Sequence, residues 1–288
     1  MKQYLDLLKK IKEQGTKKFN ERTNKSTYSI TGHMFEHDMN DGFPLLTSKF
    51  VSAKNVFVEL EGFIKGISDK TWYRERKCFI WDEWCNPQLV PYGNDEDTKA
   101  KMKKETDLGR IYGVQWRQWQ CSYEDIRTCE PYEIDQLKNI VETLKTNPSD
   151  RRMICMAWNP ADLREMALPP CHYGFQVLSD GENVDLLWNQ RSVDVPLGLP
   201  YNIASYGMLL TLIAKEVNMK PRKLIGFLAD VHIYEDQMDG VETQLKRTTH
   251  KLPTLEIENF DSIFNWTYDN FTLTDYNHEG KISFPLAI

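Results

Sequence analysis

The residues most able to do chemistry lie together late in the chain. Cys171 follows Pro169-Pro170 and precedes His172; Arg191-Ser192, Asp194 and Asn202 come after it in that order. A thiolate adds to a carbonyl or to an electron-poor ring carbon, and a neighbouring guanidinium favours it over the thiol. Arginines and a serine hydroxyl suit a phosphate. A carboxamide presents a donor beside an acceptor, which matches the adjacent carbonyl and N–H of a uracil edge. Pro-Pro-Cys-His alone says little, because most free cysteines are small buried hydrophobes. The ordered set is more informative.

These groups need elements to hold them. Cys171 leads into a strand, an Asp180-Gly181 turn and a second strand that runs into Arg191. A Gly198-Leu199-Pro200 turn then precedes an apolar helix over Ser205–Val217. Upstream, Tyr4, Leu5, Leu7, Leu8 and Ile11 have helical spacing that Gly15 ends. Residues 21–27 read as a polar loop carrying Arg22, an anion binder or a solvated arginine, and Tyr28–Phe35 reads as a strand. Ser52–Lys65 reads as a helix with Val56, Phe57, Leu60, Phe63 and Ile64 on its apolar side and Glu59 among them. A carboxylate there needs a partner or an elevated pKa, unless its head reaches solvent. Residues 79–84 are aromatic and acidic, suiting either a core edge or a wall against a flat ring. Residues 86–106 are rich in charge and read as a surface insertion. After a helix through Ile134–Leu144, Asn147–Asp150 makes a stop, and Arg151-Arg152 opens a strand over Met153–Trp158. Neighbours on a strand point to opposite faces, so one arginine can bind locally while the other reaches a second subunit; a solvated basic pair is the plainer reading. Leu224–Tyr234 reads as a buried strand, and residues from Leu252 onward as strands and turns.

Composition narrows the classes. The 288 residues carry a formal net charge of -6, 41% hydrophobic and 27% charged residues. That suits a soluble globular protein and argues against a nucleic-acid binder, which would show a basic face. The six cysteines form no CxxC pair, and Lys2, Lys9, Lys10 and Lys12 interrupt the apolar residues near the start; a reduced, cytoplasmic protein is expected. No apolar run is long enough to span a membrane. The histidines lack metal-ligand spacing, and neither a glycine-rich phosphate loop nor a GxSxG elbow is present.

With these residues in place, the chain resembles the thymidylate synthase family. The matching pieces are Met1–Leu5, Asp41–Leu45, Ile80–Trp84, Tyr112-Gly113 with Gln115–Arg117, Asp150–Arg152, Pro170–His172, Gln190–Ser192 with Asp194, Leu197–Tyr206, His232 with Tyr234, and Ala287-Ile288. They cover nearly all of the chain except the insertion. The resemblance implies an α+β fold in one domain over residues 1–288, with a twisted mixed sheet packed back to back against its copy in a homodimer. It implies transfer of a one-carbon unit from 5,10-methylenetetrahydrofolate to carbon 5 of dUMP, with no metal, membrane or obligatory nucleic acid. Cys171 would add to carbon 6 of the pyrimidine. Glu59 would move protons at the ring carbonyl, and Tyr112, with His172 nearby, would assist loss of the carbon 5 proton. Asn202 would read the uracil edge, with Gln190 beside it. Arg22, Arg191 and Ser192 would hold the phosphate, with Arg151 and Arg152 supplied by the other subunit. His232 and Tyr234 would hold the deoxyribose hydroxyl. Asp194, Ile80, Trp81, Trp84, Leu197, Gly198 and Tyr201 would line the folate side, and Ala287-Ile288 would fold over the site.

The chain departs from the family's pattern in places. Arg22-Thr23-Asn24-Lys25-Ser26 stands where the family usually has Arg-Thr-Gly-Thr-Gly, and loss of both glycines changes how that loop can close. Glu61-Gly62 replaces a usual Leu-Trp, Phe50 and Ser52 stand where basic residues are common, and Pro196 replaces a usual phenylalanine. A missing ring and an added carboxylate would let water into the site. That keeps a dUMP hydroxymethylase, in which water replaces hydride in the last step, as the alternative. Trp81, Trp84, Tyr112 and the terminal Ala-Ile favour the synthase. A non-catalytic RNA-binding relative would need a lost nucleophile or a basic surface, and neither is seen.

Overall fold

A computed structural model describes residues 1–121 and 132–287. Helix α1 (Lys2–Gln14) buries Tyr4, Leu7, Leu8 and Ile11, the stripe that the spacing predicts. Strands β1 (Thr16–Asn20) and β2 (Lys25–Asp38) form a hairpin whose turn carries Arg22. Asn24 takes a left-handed φ of 50° in that turn. Asparagine tolerates this conformation better than other side-chain-bearing residues, so the turn closes without the expected glycines.

Helix α2 (Ala53–Lys65) is capped by the Ser52 side chain, which accepts from the Asn55 N–H, and it ends at Gly66 in the left-handed region. Short helices α3 (Lys70–Glu75), α4 (Glu96–Lys104) and α5 (Tyr112–Arg117) follow. The insertion at 86–106 is therefore partly helical. The main-chain N–H of Asn86 donates to the Asp107 carbonyl at 2.8 Å, so the excursion leaves and returns at one point.

Strands β3 (Trp119–Cys121) and β4 (Tyr132–Ile134) pair with each other, and α6 (Gln136–Thr146) packs Leu137, Ile140, Val141 and Leu144 inward. Strand β5 (Ile154–Met156) is shorter than expected from Met153–Trp158. Strands β6 (His172–Ser179) and β7 (Asn183–Asp194) make the predicted hairpin around Gly181. Helix α7 (Leu199–Glu216) then crosses to β8 (Lys220–Tyr234), which lies parallel to β7. The helix begins at Leu199, not Ser205, because Pro200 occupies its first turn, where a missing N–H costs nothing. Helix α8 (Met238–Leu245) and the hairpin β9 (Thr254–Ile257) with β10 (Phe271–Thr274) complete the chain.

The main sheet has the order β1-β2-β8-β7-β6-β5, parallel at β7–β8 and antiparallel elsewhere. This is the mixed sheet of an α+β fold. Along β7 the inward positions are Val184, Leu186, Trp188 and Gln190, all buried. A Cβ at Gly226 would stand 2.4 Å from the Trp188 ring, so the glycine makes room for that indole. The opposite face of the sheet carries Met34 and Phe227, which pair across β2 and β8, and Ile154 on β5; all three are exposed. Among the described residues no helix is long and apolar enough to cross a membrane.

Candidate active site

The parallel pair β7–β8, the start of β6 and the start of α7 bring most of the predicted residues together. The hairpin register sets His172 opposite Gln190, and the parallel register sets Asp194 opposite His232.

Cys171 is half-buried. Its main-chain N–H donates to the Tyr112 hydroxyl at 2.9 Å, and an Arg191 Nη2 lies 3.9 Å from its sulfur. Arg191 is held in turn by the carbonyls of Pro170 (2.9 Å, from Nε) and Pro169 (2.8 Å, from Nη2). The two prolines thus aim the guanidinium as well as stiffening the approach to the cysteine. Burial pushes the Cys171 thiol above its ordinary range, while Arg191 and Arg22 pull it down; burial wins. Desolvation of the sulfur thus works against the thiolate that the guanidinium favours.

His172 is buried between rings. It stacks on Tyr112 at 4.4 Å, and its Nδ1 lies 2.9 Å from the Tyr206 hydroxyl. Burial lowers its pKa to about 3, so the imidazole is neutral. Tyr112 lies between His172 and Phe63, whose ring stacks on it at 4.9 Å. Its phenol is raised well above the usual range, first by burial.

Glu59 is on the buried side of α2, as its spacing predicts, and burial raises it to about 7. The Trp81 indole is near enough to draw the carboxyl part of the way back, although its N–H meets no partner at hydrogen-bond geometry. Glu61 does not join Glu59. It is fully buried elsewhere, paired with Lys65 and accepting the Tyr268 N–H at 2.9 Å. The ring missing at Gly62 is made good: a Cβ there would stand 2.3 Å from the hydroxyl of the buried Tyr73. The expected wet opening at Glu61-Gly62 is thus corrected. The carboxylate is neutralised on another face of the helix, and a tyrosine fills the space.

Asn202 Oδ1 accepts from Gln190 Nε2 at 3.0 Å, and the same Nε2 donates to the Ser192 carbonyl at 3.1 Å. Asp194 accepts from the Leu197 N–H at 2.9 Å and from Gln237 Nε2 at 2.8 Å. Burial raises its pKa, opposed by those hydrogen bonds and by His232 and Lys49. Its carboxylate keeps acceptor sites to spare. Beside it are the partly exposed Leu197, Gly198 and Tyr201 at the entry of α7. The buried indole N–H groups of Trp81 and Trp84 have no partner. An acceptor and aromatic rings suit a flat heterocycle with polar edges. Ile80 is half-buried in the same turn.

His232 Nδ1 lies 3.3 Å from Asp230, and its ring meets Tyr234 edge-on at 5.2 Å. Arg22 is exposed but close enough to act on the Cys171 thiol. Arg151 and Arg152 are not brought into this group. Both are exposed, and Arg152 makes its ion pair with Asp150 at 2.7 Å. Ala287 is half-buried, whereas Ile288 lies outside the described residues.

Three residues escaped the sequence reading. Gln237 Nε2 bonds Asp194 and also the Pro285 carbonyl at 3.1 Å, tying the terminal segment to the site. Lys49 is buried, donates to the Pro196 carbonyl and lies 4.7 Å over the Phe284 ring. Tyr206, inside a quoted motif, holds His172. A lone glutamine or lysine carries no local signal in the sequence. Among the described residues no group of His, Cys, Asp or Glu is arranged to hold a metal.

A sequence model described as thymidylate synthase matches residues 2–288. A bifunctional dihydrofolate reductase-thymidylate synthase of Paramecium tetraurelia is 36% identical over 287 residues, covering 99% of this chain. The chain spans 61% of that relative's length.

Proposed function

This chain belongs to the thymidylate synthase family, and we propose that it methylates carbon 5 of dUMP, releasing dTMP and dihydrofolate. When bound, 5,10-methylenetetrahydrofolate supplies the one-carbon unit and the hydride that completes the methyl group. Cys171 adds to carbon 6 of the pyrimidine. The Arg191 guanidinium, 3.9 Å from the sulfur, stabilises the thiolate that attacks. Glu59, near 7, can give and take a proton at the ring carbonyl around neutral pH. Tyr112 assists removal of the carbon 5 proton, a reading supported by the neutral His172 stacked on its ring.

Asn202 reads the base, Arg22, Arg191 and Ser192 hold the phosphate, and His232 and Tyr234 hold the sugar hydroxyl. Ile80, Trp81, Trp84, Asp194, Leu197, Gly198 and Tyr201 form the folate side, with Ala287 closing over it. The protein acts as a cytoplasmic homodimer. The exposed apolar sheet face of Met34, Phe227 and Ile154 supports back-to-back packing, with Arg151 and Arg152 reaching the partner's phosphate site.

The observation that carries this reading is the Arg191 guanidinium 3.9 Å from the Cys171 sulfur. Hydration in place of hydride transfer loses its motive, because Glu61 and Gly62 do not open the site. Incubation with 5-fluoro-dUMP and methylenetetrahydrofolate should leave a ternary adduct on Cys171, found by peptide mass analysis. With dUMP, the product should have the mass of dTMP and be matched by dihydrofolate; a hydroxymethyl product would refute the assignment.

A further inference from the structure

Lys70 is a fully buried ammonium. Its Nζ donates to three main-chain carbonyls: Asp82 at 3.2 Å, Trp84 at 3.0 Å and Met102 at 2.7 Å. All three of its donors are thereby used. Two of these carbonyls belong to the aromatic turn at 81–84, and the third is near the end of the insertion helix α4. One turn later on α3, Arg74 repeats the pattern. Its Nε donates to Asp82 Oδ1 at 2.7 Å and its Nη2 to the Lys103 carbonyl at 2.6 Å. Lys103 Nζ closes the ring 3.4 Å from Glu83. Two cations spaced i, i+4 thus meet the negative end of the α4 dipole and, with the same side chains, the backbone of the Trp81–Trp84 turn.

An ammonium without solvent is costly unless its hydrogen bonds are complete, and here completion requires both segments at once. At its other end α4 borders a cavity of about 340 Å³, lined by Thr23, Asn24, Lys25, Asn94, Lys99 and Leu286. The insertion therefore runs from the aromatic turn to the hairpin loop beside Arg22.

We propose that Lys70 and Arg74 are positioning residues for the folate: they lock the insertion helix and the Trp81–Trp84 turn into one unit, so that the insertion braces the wall on which the folate ring lies. This rests on the reading of Trp81 and Trp84 as that wall.

The test compares the full chain with its Lys70→Met, Arg74→Gln and Trp84→Leu forms. In the ligand-free proteins, hydrogen exchange of amides in 79–86 and 98–106 should quicken together, by about tenfold or more in Lys70→Met and less in Arg74→Gln, with β6–β8 unaffected. In turnover, KM for methylenetetrahydrofolate should rise about fivefold or more in both variants while KM for dUMP stays within about twofold. Faster exchange in the insertion alone, or both KM values moving together, overturns the proposal. If Lys70→Met does not fold, Arg74→Gln decides by the same two readouts. An unchanged folate KM in Trp84→Leu overturns the wall reading and the consequence for folate with it. The exchange data distinguish that outcome from failure of the lock itself.

Discussion

Trp188 Nε1 lies 3.1 Å from Gln190 Oε1, and this contact determines which end of Asn202 is oxygen. An indole N–H can only donate. The Gln190 oxygen must therefore face it, which leaves Gln190 Nε2 to donate to Asn202 Oδ1 at 3.0 Å. Asn202 keeps its amino group and the second lone pair of its oxygen for a base, the pattern that fits a uracil O4 and N3–H. The ambiguity of a carboxamide's orientation is removed by a ring two residues from the glutamine.

Trp188→Phe should accordingly weaken base selection. We expect kcat/KM for dUMP to fall about tenfold, with a smaller change for dCMP. Asn202→Asp should relax or reverse the preference; equal dUMP and dCMP rates to the parent in that variant would refute Asn202 as the reader.

Glu59 gives a pH signature in stability. Its folded pKa of about 7 is above the ordinary 4.5, so between those values the folded chain holds a proton that the unfolded chain has released. Stability from this group is full below about 4.5 and is lost as pH rises through about 7, by up to ~3 kcal/mol. His172, held at about 3, acts in the opposite sense, losing stability as pH falls below its ordinary 6.5. Comparing Glu59→Gln with the parent in urea unfolding isolates the first effect. The variant should lose less stability between about pH 5 and about pH 8, and turnover should drop while its neutral-pH inflection disappears.

The thiol should be slow to alkylate in the free protein. Iodoacetamide labelling of Cys171 at neutral pH should lag behind that of a free thiol and rise with pH. Arg191→Leu should slow it by a further factor of about 3 to 10, since one of the two cations pulling the pKa down is removed. Faster labelling in that variant would contradict the role given to the guanidinium.

At the departure from the family pattern, Glu61→Leu should leave the product unchanged. It should still destabilise the fold by about 1 kcal/mol, because the part-buried Tyr268 N–H loses its acceptor. Gly62→Trp should be poorly tolerated alone and partly rescued by Tyr73→Gly, measured as a double-mutant cycle in denaturant.

Much of the fold was readable from local pattern. The α1 stripe, the β6–β7 hairpin around Gly181 and the buried side of α2 follow from apolar spacing and turn chemistry. The site was readable as an ordered set of residue types, and most of them converge. Side-chain direction was less accessible. Glu61 sits two residues from Glu59, and helical geometry turns it to another face, where Lys65 and the Tyr268 N–H are waiting; the Tyr268 partner is 207 positions away in sequence. The sequence shows an arginine that favours the Cys171 thiolate, but the opposing cost of lost solvent depends on burial that spacing does not encode. Lys70 lay in an unremarked stretch, because its three carbonyl partners come from segments that only the folded chain brings together.

Gln237 has a consequence for the end of the chain. One amide nitrogen serves both the Asp194 carboxylate and the Pro285 carbonyl. Seating of the final residues and ionisation of Asp194 are therefore thermodynamically linked. What moves the tail is felt at the aspartate through that shared nitrogen, and by reciprocity a change at the aspartate is felt at the tail.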